Sequence, residues 1–94
     1  MDYKEVLIDA IQKGYGCKAI FKETVPIKET FQGQTVWEGE VEIFEINHKD
    51  TRTCYGWGFD NDKGKTEFVT ILAIPPITTP LKAVQSYLIN QIKK

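Results

Sequence analysis

From Thr35 to Phe59 the chain repeats with a period of two, and that constrains the fold more than any other feature. Glu38, Glu40 and Glu42 fall on one side of the first run, and Trp37, Val41 and Ile43 on the other. After a loop at 47–51, Thr53, Tyr55, Trp57 and Phe59 alternate with Arg52, Cys54, Gly56 and Gly58. A two-residue period is the pleat of a β-strand. A lone hairpin is marginal in water, so these strands need further strands or helices to cover them.

The flanks supply both. Tyr3, Val6, Leu7, Ala10 and Ile11 recur at three-four spacing, which predicts an amphipathic helix over Asp2 to Lys13. Asp2 is placed to cap its start, and Gly14 or Gly16 to end it in the left-handed conformation. At the other end Thr79 precedes Pro80, a cap followed by a proline at the first helical position. Leu81, Val84, Leu88 and Ile92, with Tyr87 beside them, predict the buried stripe of this second helix.

Further strands fill the middle. Cys17, Ala19 and Phe21 alternate with Lys18, Ile20 and Lys22, and Pro26 bounds this strand or sets it on an edge. The stretch 27–34 reads as a second short extended piece ending in a turn at Gln32-Gly33-Gln34. Phe44 and Ile46 break the polar side of the strand before them, by a bulge near Ile43 or because the acidic face becomes covered there. Thr66 to Ile74 carries apolar residues on both faces, which predicts a central strand. Pro75-Pro76 stops it.

The expected fold is therefore α+β, with order α-β-β-β(-β)-α. It has two layers: an antiparallel sheet of three to five strands, with both helices packed on one face. With 94 residues the chain reads as a single domain over 1–94. Hydrophobic residues at 41% and charged residues at 27% are ordinary for a globular protein, not a disordered one. No apolar run approaches the roughly 20 residues that span a bilayer, so no membrane partner is expected. No apolar leader is visible and the two cysteines, Cys17 and Cys54, match no metal spacing, so the chain is expected to be cytoplasmic with reduced thiols.

Chemistry-bearing patterns are few. His48, Asp50 and Cys54 hold the residue types of thiol catalysis, but their spacing matches no nucleophile motif. Asp60, Asp62 and Gly64 echo the start of a calcium loop, yet the acid such a loop needs near position twelve falls at Ile71. No phosphate-cradling glycine loop or zinc spacing occurs. The expectation is a non-enzymatic module with no cofactor.

Two features point to binding. Gly56 and Gly58 flatten one side of their strand, so something can approach the backbone closely there. Charge is also uneven: residues 34–62 hold seven acids against Lys49 and Arg52, giving −5, while 63–94 hold one acid against five lysines, giving +4. Arg52, Cys54, Gly56 and Gly58, together with Glu38, Glu40 and Glu42, are the candidate binding residues. The expected partner is a protein, or a second copy in a homodimer, met through the open sheet face or a strand edge.

The helix–sheet–helix order also resembles that of double-stranded RNA-binding domains. The resemblance covers most of the chain, in element order only. It implies a grip on nucleic-acid phosphates from lysines at the start of the second helix. There, Pro80-Leu81-Lys82-Ala83-Val84-Gln85 carries Lys82 alone. Nucleic-acid binding through Lys63, Lys65, Lys82, Lys93 and Lys94 is thus the second reading, since neutralised phosphates supply most of such affinity.

Overall fold

The computed structural model describes residues 3–60 and 63–92, the last two by their backbone alone. The expected Asp2 cap, Asp62 of the polar turn, the side chain of Ile92, and Lys93 and Lys94 lie outside the described residues.

Helix α1 spans Lys4–Tyr15. It runs past Gly14 and ends at Gly16, whose φ of 68° places it in the left-handed region while its N–H donates to the Gln12 carbonyl. Leu7 and Ile11, one turn apart, are fully buried. Strands β1 (Ala19–Phe31), β2 (Gln34–Ile46), β3 (Thr53–Asp60) and β4 (Thr66–Leu72) follow, then helix α2 (Pro80–Ile92). The strands pair antiparallel in the order β1-β2-β3-β4, so the α+β class and its α-β-β-β-β-α order hold.

The two pieces expected between Cys17 and Gln34 are one continuous strand. Pro26 is accommodated because β1 is an edge, the place in a sheet where a residue without an N–H is tolerated. The hairpin closes through Gln32 and Gly33, with φ of 53° and 79°. Two positive φ values make the turn whose twist suits a two-residue hairpin.

A register shift between Phe21 and Glu23 leaves Lys22 as an extra residue in β1. Ala19 and Phe21 therefore face α1, whereas Ile27 and Glu29, also odd-numbered, face the opposite side, where α2 lies. In β2 there is no slip at Ile43. Phe44 and Ile46 continue the side of Glu42 and are apolar because α1 covers them. Of the two explanations for the broken alternation, the covered face is the one realised.

The two helices do not share a face, which corrects the two-layer expectation. Leu7 and Ile11 of α1 pack with Ala19, Phe44, Ile46 and Cys54. Ala83 and Val84 of α2 pack with Val41, Tyr55 and Trp57. Cys54 and Tyr55 are neighbours on one strand and so point to opposite sides. The molecule is three layers, with the sheet in the middle. The reason lies in β3. Its Cys54-Gly56-Gly58 side is a trough, and a Cβ added at Gly56 would lie 3.1 Å from a Leu7 methyl, one at Gly58 2.8 Å from the Tyr3 ring. The other side presents Tyr55, Trp57 and Phe59, which take α2, with Trp57 meeting the Trp37 and Tyr87 rings edge-on at 5.6 and 5.5 Å. Both sides are apolar, so each needs its own cover. At about 1.5–3 kcal/mol per fully buried large side chain, neither face could stay open cheaply.

The same two-sided cover explains β4. It is an edge strand, not the central one expected, yet Phe68 and Leu72 serve the α1 core while Val69 and Ile71 serve the α2 core.

Candidate docking surface

The residues singled out from sequence do not form one surface. Cys54 and Gly56 are buried beneath α1 and Gly58 is half-buried there. The close approach that the glycines signalled is real, but what approaches is the chain's own first helix. Arg52 is exposed in the loop before β3, its carbonyl accepting the Ile46 N–H at 2.8 Å. Glu38 and Glu40 are exposed on the far half of the hairpin, paired in register with Lys28 and Pro26. Glu42 is buried and accepts the Thr24 hydroxyl at 2.6 Å.

The thiol-catalysis pattern is not assembled as reactive groups. Cys54 is fully buried, and burial pushes its thiol up to about 12. A thiol held protonated is a poor nucleophile. His48 Nδ1 accepts the Asp50 backbone N–H at 3.0 Å, which closes the loop locally, and its ring meets Tyr15 edge-on. Among the described residues no group of three or more His, Cys, Asp or Glu is placed to hold a metal ion, and no helix is long and apolar enough to cross a membrane.

What the structure leaves open is a groove between the hairpin tip and α2. One wall is Glu29, Thr30, Phe31 and Val36; the other is Gln85, Leu88 and Ile89; the volume is about 550 Å³. Each wall has a local cause. A register shift between Glu29 and Thr30 makes Val36 an extra residue of β2, set beside the groove. Phe31 ends β1, just before the turn, beyond the reach of the core. On α2 the buried side is Ala83, Val84, Tyr87 and Leu88, so the expected stripe is rotated. Leu81 is turned partly outward, and Leu81, Gln85 and Ile89 form a ridge at four-residue spacing.

Phe31 is 65% exposed, Ile89 52%, Val36 46% and Leu81 38%. Phe31, Val36 and Ile89, which line the groove, together offer apolar surface on the order of 300 Å², about the size of the largest apolar patch on a typical monomer, which is often functional. Among the described residues that line the groove, the one carboxylate is already occupied. Glu29 accepts the Gln85 amide at 2.6 Å through one oxygen and the Thr30 N–H at 3.1 Å through the other.

Sequence reasoning missed this surface. Phe31 and Val36 sat in the stretch with the weakest pattern. The available signal was a surplus: α2 carries Leu81, Val84, Leu88, Ile89 and Ile92, more apolar residues than one stripe can bury.

No family model, no curated protein and no solved structure matches this chain.

Proposed function

We propose that this chain is a non-enzymatic protein-binding module, and that it docks through the groove between α2 and the hairpin tip against an apolar, largely uncharged protein surface. The carrying observation is the cluster of Phe31, Val36 and Ile89 exposed around one recess. Covering about 300 Å² of apolar surface contributes on the order of 7 kcal/mol before the costs of association, enough to favour a partner over water. The non-catalytic reading is supported by the buried, protonated Cys54 thiol. A reducing, cytoplasmic setting is part of the same proposal, supported by free thiols at Cys17 and Cys54.

Relative to the sequence expectation, the docking surface moves away from the glycine side of the sheet. The β1 edge also gives way to the groove. Pro26, the extra residue Lys22 and Lys28 are features that blunt an edge against strand addition.

A photo-reactive phenylalanine analogue placed at Val36 tests the proposal, with the same analogue at Glu40 on the far side of the hairpin as control. The expected result is protein crosslinks at position 36 that disappear in Ile89→Lys. Crosslinks of equal yield at position 40, or indifferent to Ile89→Lys, contradict it. Nucleic-acid binding through the C-terminal lysines is the second reading, resting on the +4 balance of residues 63–94. Retention on heparin at low salt tests it, since this mode must be strongest there.

A further inference from the structure

We infer that the occupant of the groove is a second copy of this chain, so that the module is a two-fold homodimer built on α2 and the hairpin tip. The inference rests on the docking reading above and adds the partner. Three observations carry it.

The first is charge. Among the described residues that line the groove and the depression across the Ile89 ridge, the charged groups are one acid, Glu29, and one base, Lys82. The acids that dominate the middle of the chain, Glu38 and Glu40, pair in register with Lys28 and Pro26 and do not line it. A partner selected by charge finds little here to recognise. A face that meets its own image must avoid a surplus of either sign, and the described residues of this one are balanced, Glu29 against Lys82.

The second is shape. A two-fold interface needs a projection and a recess on the same patch. Phe31, with nearly two-thirds of its surface in solvent, stands on the wall of the recess that Leu88 and Ile89 close on the other side. A two-fold axis beside the groove gives each ring the partner's recess.

The third is extent. Phe31, Val36 and Ile89 supply on the order of a third of the roughly 800 Å² that each partner contributes to a stable interface. The neighbouring depression shares Gln85 and Ile89 with the groove, and its Lys82, Ser86 and Asn90 continue the surface as a polar rim.

Light scattering on the intact chain across a concentration series tests the inference. The expected mass at high concentration is twice 10.8 kDa. Phe31→Ser and Ile89→Lys should each weaken association at least about tenfold, as for residues at the centre of an interface. Both positions are exposed, so the variants keep the wild-type circular dichroism. Glu40→Lys should leave the mass unchanged. In a mixture of isotope-labelled and unlabelled chains, intermolecular NOEs should join Phe31 to Ile89. A mass of one chain at every concentration, or a dimer indifferent to Phe31→Ser, overturns the inference. The docking reading fails separately. A monomer that still crosslinks another protein from position 36, sensitive to Ile89→Lys, ends the homodimer and keeps the groove.

Discussion

At Gly58 a methyl group has nowhere to go. Its Cβ would come within 2.8 Å of the Tyr3 ring and 3.0 Å of the Phe68 ring, which already pack edge-on at 5.4 Å. At Gly56 the nearest atoms are the two Leu7 methyls, at 3.1 and 3.4 Å, a looser fit that asks the neighbour to give by only a few tenths of an ångström. Gly58→Ala should therefore lower stability by about 1–2 kcal/mol, through overpacking. Gly56→Ala should stay within about 1 kcal/mol of wild type, because alanine also suits a strand better than glycine. Urea unfolding followed by tryptophan fluorescence ranks the two. Cys54 makes a second residue-level prediction. Its thiol ionises near 9 when unfolded and near 12 when folded. Between those values the unfolded chain binds fewer protons, so stability present below pH 9 is lost as pH rises, by at most about 4 kcal/mol. Burial raises Tyr55 as well, which acts in the same direction above pH 10. Urea midpoints measured from pH 8 to 10 should fall for wild type, and fall less steeply for Cys54→Ala.

Among the elements, α2 shows best what a pattern determines and what it leaves open. Its start was readable, because Thr79 Oγ1 accepts the Lys82 N–H at 3.1 Å and Pro80 takes the first helical position. Its rotation was not, because Leu81, Val84, Leu88 and Ile89 fit more than one stripe and only the shape of the sheet selects between them. The large rings of Trp57 and Phe59 settle against Tyr87, which turns Ala83 and Val84 inward and Leu81 outward. Val84→Ala should cost about 1–3 kcal/mol, since it empties a fully buried site. Leu81→Ala should cost less than about 1 kcal/mol. A cost at Leu81 as large as at Val84 in thermal denaturation would return Leu81 to the buried stripe expected from sequence. The hairpin offers a gain instead. Gln32 holds a positive φ of 53°, which a longer side chain adopts at a cost. Gln32→Asn should raise stability by about 0.5–1 kcal/mol in the same assay, since Asn-Gly is the preferred pair for this turn.

At the scale of the whole molecule, the class and order of elements were legible because each element carries its own period. Which side of the sheet each helix takes was not, because it depends on contacts between residues far apart, such as Leu7 with Gly56 and Tyr87 with Trp57. The glycines were read correctly as a place of close approach, but a local pattern does not say whose side chain approaches. The candidate surface followed the same rule. Phe31 and Ile89 lie 58 positions apart in sequence, and neither carries a motif; only the fold places them on the two walls of one groove. Everything functional here depends on the helices taking opposite faces, which closes the glycine trough and leaves α2 with a second, open side. The most direct measurement is an NOE spectrum of the folded chain with labelled leucine methyls and aromatic rings. Helices on opposite faces give cross-peaks from the Leu7 methyls to the Gly56 α protons, and from the Tyr87 ring to the Trp57 indole. Cross-peaks from Leu7 to Trp57 or Tyr55 would put both helices on one side, reopen the glycine face, and contradict that arrangement.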